Sequence, residues 1–176
     1  ENYNGSIRLS SASLTMDVLS SGDPVKTTPT ITWPAPSALT YGTPLGTTQL
    51  NATVANNIPG VLTYSPVSGT VLGAGLRTIT ATFTPEDTAR YNGAEQSVTI
   101  RVNKARLVAT ADNKTKVQGQ PDPILTETYS GFVNNENVSV LNSDARLITT
   151  DGVAPGTYPI TLSGVTSSNY AMVFVQ

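Results

Sequence analysis

The side chains able to do chemistry in this chain are carboxylates, lysines and hydroxyls, because histidine and cysteine are absent. Their absence removes Ser-His and Cys-His nucleophile systems and the commonest general base. It also removes the imidazole and thiolate ligands of a zinc site. Two carboxylate pairs remain, Glu86 beside Asp87 and Asp122 with Glu127. Two carboxylates facing each other across a cleft are the equipment of glycoside hydrolysis. Both pairs here read as loop charges in water. Calcium could draw on Asp112, Asp122 or Asp144 with carbonyl oxygens, yet no D-x-D-x-D-G loop is present. The residues therefore predict no enzyme, no cofactor and no metal. Trp33, the single tryptophan, stands before Pro34. It has a face for stacking on a sugar, but a core position at a strand end is the simpler role. The tyrosines mostly stand beside Gly or Asn and read as corner residues whose rings cap a core. Sequons at Asn4, Asn51, Asn113 and Asn137 are acceptors only in a host that glycosylates them.

The elements that would position these groups read as strands. Leu50, Ala52 and Val54 alternate with polar residues, as do Val98, Ile100 and Val102. Ile79, Ala81 and Phe83 alternate against Leu76, Thr78, Thr80 and Thr82, and Leu107 with Ala109 continues the pattern. Period two over five to eight residues marks a half-buried strand. Turn signals punctuate the runs at Pro59-Gly60, Ser68-Gly69, Asn92-Gly93, Asp151-Gly152 and Pro155-Gly156. Residues 134–147 are the best place for a short helix, but Asn134-Asn135-Glu136-Asn137 reads better as a loop or turn.

The pattern repeats along the chain. Gly75-Leu76-Arg77-Thr78-Ile79-Thr80 is echoed by Gly156-Thr157-Tyr158-Pro159-Ile160-Thr161. Upstream, Tyr41-Gly42-Thr43-Pro44-Leu45 answers to Gln118-Gly119-Gln120-Pro121 with Leu125 beyond. Downstream, Tyr91-Asn92-Gly93 answers to Asn169-Tyr170. Two modules of roughly 75 residues in tandem follow from this. Residues 1–27 form an N-terminal arm, 28–104 the first module and 105–176 the second. Val102-Asn103-Lys104-Ala105 leads the last strand of one straight into the first strand of the next, and so short a linker restricts bending. The predicted fold is all-β, with tandem Ig-like β-sandwiches in an elongated arrangement.

Composition narrows the partners. There are 12 acidic and 10 basic residues, so no net field draws the chain to nucleic acid or anionic lipid. Charged residues make up 12%, about half the usual share, which suits a β protein with neutral polar outer faces. No apolar run approaches the roughly 18–20 residues of a membrane span. No signal-peptide pattern stands at the start, so a secreted protein would already have lost it.

Two blocks resemble known families. Thr30-Ile31-Thr32-Trp33, Tyr41-Gly42-Thr43-Pro44-Leu45 and Phe83-Thr84-Pro85 with Tyr91-Asn92 are similar to a bacterial Ig-like repeat of large surface proteins. Ala109–Lys116, Pro121-Asp122-Pro123, Tyr129-Ser130-Gly131-Phe132, Gly156–Ile160 and Ser168-Asn169-Tyr170 resemble the MBG-type module of bacterial surface proteins and adhesins. The departure is at Val117-Gln118, where that module carries a Tyr before its glycine. The resemblance implies a secreted or cell-surface β-sandwich array with no catalytic residue to carry over. Related adhesin architectures use lysine–asparagine isopeptide crosslinks, but no motif marks Lys104 or Lys114 for one.

The resemblance also implies a closing strand after Ser168-Asn169-Tyr170, and the chain reaches Gln176 before it. Asn4-Gly5-Ser6-Ile7-Arg8-Leu9 in the arm looks like that strand. The arm then shifts phase, with Ile7 and Leu9 at odd positions and Ala12, Leu14, Met16 and Val18 at even ones. Ser10-Ser11 would be the bend that resets the pleat. Two readings stay open: head-to-tail assembly by donor-strand complementation, or a stretch of a longer repetitive protein. In the first, copies of the chain are each other's partners. Ile7, Leu9, Leu14, Met16 and Val18 of one copy would then contact Tyr170, Met172 and Phe174 of the next. The function expected is a structural subunit of an extracellular fibre or surface array. The alternatives are an adhesin module binding a glycan or host surface protein, and inert spacer domains of a large secreted protein.

Overall fold

The computed structural model describes residues 25–150 and 154–176. Among them the fold is all-β. Two single 3-10 turns, Ala55–Asn57 and Val138–Val140, are the only helical pieces, and the second is all that forms within 134–147. The Asp151-Gly152 turn signal lies outside the described residues, as does the arm with Ile7, Leu9, Leu14, Met16 and Val18.

Residues 28–104 supply two sheets. The larger orders its strands β2-β6-β5-β4, with β2 Leu39–Thr40, β4 Gly60–Ser65, β5 Gly75–Pro85 and β6 Ala94–Asn103. The hairpin of β5 and β6 is its backbone, in register from Gly75 opposite Val102 to Phe83 opposite Ala94. The smaller sheet pairs β1, Ile31–Thr32, with β3, Thr53–Val54. Period two explains β5 directly. Ile79, Ala81 and Phe83 are buried, while Thr78, Thr82 and Thr84 stand in water. Leu76 shares the threonine face and is exposed. Trp33 is buried against Tyr64, with its Nε1–H donating to the Gln49 carbonyl at 2.9 Å. It is a core residue and offers no face to a sugar.

Residues 105–176 supply two more sheets. One orders β11-β7-β8, with β7 Ala105–Ala111, β8 Glu127–Ser130 and β11 Tyr170–Val175. The other pairs β9, Arg146–Thr149, with β10, Ile160–Ser163. In β7 the buried positions are odd: Ala105, Leu107, Ala109 and Ala111. In β6 they are even: Ile100 and Val102. Asn103 and Lys104, both exposed, separate the two sets and turn the pleat over.

The larger core does not stop at this switch. It gathers Ile31, Leu39, Leu45, Ile79, Phe83 and Ile100 and continues through Ala105 and Leu107 to Tyr170. A smaller core lies beyond it, built on Ala109, Ala111 and Leu162.

Candidate functional site: the joint around Glu136

A set of specific side-chain contacts lies near the point where β6 becomes β7. Tyr41 is placed by the end of β2, where its backbone N–H donates to the Asn103 carbonyl at 2.8 Å. Gly42 follows at φ +97, a left-handed conformation that L side chains rarely adopt. It also lets the turn come close: a Cβ at Gly42 would stand 2.8 Å from Val133 Cγ2. The turn thus presses the backbone at Gly42 against the side chain of Val133.

From the other side come Phe132, Val133 and Glu136. Asn134 and Asn135 hold φ values of 56° and 57° and swing the chain so that Glu136 points back at the joint. Asn is among the few residues that tolerate this region. Asn56 and Asn57 do the same in the first module, at φ 59° and 48°. The two Asn-Asn turns thus share one backbone geometry, a likeness the sequence reading did not pair up.

Glu136 is the electrostatic centre. Its Oε1 accepts from the Tyr41 hydroxyl at 2.5 Å and its Oε2 from the Tyr170 hydroxyl at 2.5 Å. Tyr170 Oη in turn accepts the Val133 N–H at 3.0 Å. The rings extend the contact. Tyr41 meets Tyr170 edge to face at 5.5 Å, Tyr170 meets Phe132 likewise at 5.5 Å, and Phe132 lies 6.0 Å from Tyr129. Such pairs add to simple area burial. Donation to the Glu136 carboxylate, followed by burial, raises the Tyr41 phenol above its ordinary range. Burial first and donation to Glu136 second push Tyr170 up to about 12. Both phenols therefore stay protonated donors at any physiological pH.

Backbone pairing surrounds this cluster. Ala105 N–H donates to the Asn169 carbonyl at 3.0 Å, and Asn169 Oδ1 accepts the Ala74 N–H at 3.0 Å. Arg77 fixes that loop by donating to the carbonyls of Gly73 and Ala74, each at 2.8 Å. Ser167 Oγ accepts the N–H of Asn169 and of Tyr170, and the Ser167 carbonyl accepts Lys104 Nζ at 2.7 Å. The arrangement has a counterpart at Thr27 and Tyr91. Thr27 N–H donates to the Arg90 carbonyl at 2.9 Å and bridges Tyr91 in parallel, as Ala105 does with Asn169 and Tyr170.

The other expected sites fall as follows. Asp87 caps the N–H groups of Ala89 and Arg90 and pairs with the Arg90 side chain at 3.6 Å. Asp122 pairs with Lys116, and Asp112 accepts from Thr126 at 2.5 Å. Among the described residues no three carboxylates gather as a metal site. Of the residues expected at a subunit contact, Tyr170 is 1% exposed and buried in the chain's own joint. Met172 is half-buried against both cores, and Phe174 is exposed. A shallow open depression of about 360 Å³ beside β4 is lined by Leu50, Leu62, Tyr64 and Val67, with no charged side chain in its wall.

The Glu136 carboxylate is held by two phenol donors and ties together the elements that carry them. The fold and this joint define an all-β chain whose two halves are locked by a polar and aromatic clasp. Residues 107–176 match the family model of the MBG domain, YGX type, a module found in bacterial surface proteins. No curated protein and no solved structure matches the chain. Among the described residues no helix is long and apolar enough to cross a membrane.

Proposed function

We propose that this chain is a non-enzymatic structural segment of a secreted or cell-surface bacterial protein. Its tandem Ig-like β-sandwich modules are held at a fixed angle, so that the array keeps its reach from the surface. The Glu136 joint carries the reading. A flexible spacer needs only a linker, whereas here one residue, Lys104, separates β6 from β7. The Tyr41 phenol on Glu136, the Tyr41 ring against Tyr170 and the Asn169 amide on Ala74 then bind the modules across that point. The low charge and the threonine-covered outer face of β5 fit a surface that spaces and supports. For the adhesin reading, the shallow depression beside β4 offers no charged group in its wall to orient a ligand.

The absence of cysteine gives a clean test. Spin labels on Thr82→Cys and Thr161→Cys, both exposed and one in each module, report the distance between modules in a single chain. A single narrow distribution is expected, broadened by Glu136→Ala. A broad distribution in the parent chain would refute a fixed joint.

A further inference from the structure

The large sheet of the first module ends in a free strand edge. β4 stands at its margin, and among the described residues no strand pairs with its outer side. Pro59 precedes the strand, Pro66 follows it, and residues 66–74 lead on into β5. The free edge is therefore a feature of the module itself. The register shows which backbone groups face outward. The Glu86 N–H donates to the Pro59 carbonyl at 3.0 Å, and the pairing continues from Gly60 opposite Pro85 to Ser65 opposite Thr80. In an antiparallel pair, bonded and non-bonded positions alternate. Val61, Thr63 and Ser65 thus bond to β5, while Gly60, Leu62 and Tyr64 turn their N–H and C=O groups away from it. Pro85 fits this phase, since no N–H towards Gly60 is required of it.

Exposed edges are commonly guarded by charge, proline or a bulge. Two edges of the second module follow that rule, with Glu127 on β8 and Arg146 on β9. Gly60–Ser65 carries neither charge nor proline, and residues 27–76 contain no Asp, Glu, Lys or Arg. The outward groups of β4 are also spaced evenly about Leu62. A strand related to β4 by a two-fold axis at Leu62 presents the same groups in reverse order. Gly60 then meets Tyr64, Leu62 meets Leu62 and Tyr64 meets Gly60, each as a bonded pair. The edge is complementary to itself, and no like charges oppose one another across it.

We propose that β4 is a lateral self-association edge, on which a second copy of this chain lays its own β4 antiparallel to make one continuous sheet. On the outer face Val61, 60% exposed, lies opposite Thr63 of the second copy. On the inner face the paired Leu62 side chains cover the apolar depression walled by Leu50, Leu62, Tyr64 and Val67. β4 is the margin of the sheet opposite β2, whose end carries Tyr41, so the pairing leaves the Glu136 joint untouched. One short ladder is a small interface, so the pairing is weak in dilute solution and gains strength where copies stand close together.

Disulfide trapping tests the register. A tagged Val61→Cys chain is mixed with an untagged Thr63→Cys chain and oxidised. Both positions are exposed, so the substitutions spare the core. Directly opposed positions lie within the Cα range of a disulfide, about 4.4–6.8 Å, whereas two Val61 positions stand diagonal at about 7–8 Å. The mixed dimer is expected at least about tenfold over the Val61→Cys homodimer. Sedimentation of the parent chain should show a concentration-dependent dimer and no larger species, because a two-fold contact closes on itself. Val61→Lys with Thr63→Lys sets like charges opposite each other and should abolish the dimer, as should the corresponding pair of Glu substitutions. Mixing the Lys and Glu variants should restore it. Equal trapping yields, open-ended aggregates or a mixture that stays monomeric would each overturn the proposal. So would a monomeric parent, the result expected if another segment of the same chain covered β4. The spin-label distance is measured within one chain, so these failures would leave the fixed-joint reading standing.

Discussion

Removing one phenol from the clasp should weaken the chain by an amount that depends on Glu136. In Tyr41→Phe, Glu136 Oε1 loses the donor that now lies at 2.5 Å, while Oε2 keeps Tyr170. A hydrogen bond to a charged group contributes about 1.5–3 kcal/mol net. Glu136 is only half-buried, so water replaces part of the lost partner. The cost should fall near the lower end, about 1–2 kcal/mol. Tyr170→Phe should cost more, because the Val133 N–H loses its acceptor as well. The decisive measurement is the cycle. In a Glu136→Ala background the Tyr41→Phe change should cost little, giving a coupling of about 1–2 kcal/mol between the two positions. Urea unfolding of the parent, the two single variants and the double variant supplies all four values. Additivity within about 0.3–0.5 kcal/mol would refute the clasp, since independent sites add to that precision.

Gly42→Ala should destabilise by more than about 1 kcal/mol, because the left-handed backbone and the 2.8 Å approach to Val133 both resist a Cβ. Its spin-label distance distribution should also broaden, and an unchanged melting temperature would contradict the close approach. Alkaline pH should loosen the fold through Tyr170. Its pKa is raised from 10.0 to about 12, so its contribution is fully present below pH 10 and is lost as pH rises towards 12. The loss should reach about 2–3 kcal/mol by pH 12. Tyr170→Phe should flatten that part of the stability profile, which urea titrations between pH 8 and 12 would show.

The strands of the large sheet were legible because each carries its own alternation. Ile79, Ala81 and Phe83 needed no partner to declare a buried face, and neither did Leu107 with Ala109. The joint was not legible in the same way. Tyr41 and Glu136 are 95 residues apart and Tyr170 and Glu136 are 34 apart, so no local window contains the clasp. Glu136 sat in a polar run that reads correctly as a turn, and nothing in the run shows where the turn points it. The choice of partner by β11 was hidden for a related reason. Alternation assigns faces, but edges are chosen by backbone pairing, and the same residues suit an antiparallel hairpin with β10 or a parallel pair with β7. Tyr170 shows the cost of that ambiguity. Placed by sequence at a subunit contact, it lies inside the chain's own joint. The match of residues 107–176 to the MBG domain concerns only the second half, so the Ig-like reading of the first half rests on its sequence resemblance.

The pleat switch at Asn103-Lys104 has a consequence for how such modules can be rearranged. Inward positions are even before it and odd after it, because an even number of residues separates Val102 from Ala105. The junction is thus a parity change written into chain length. Inserting or deleting a single residue there would leave each strand's own alternation intact, yet would point Arg106, Val108 and Thr110 inward if the strand slid one place along the ladder to absorb the change. A recombination event that joins two modules must carry the two-residue spacer with it. The spacing Val-x-x-Ala, matched by Leu9-Ser10-Ser11-Ala12, is then the mark by which a permissible splice can be counted along the chain.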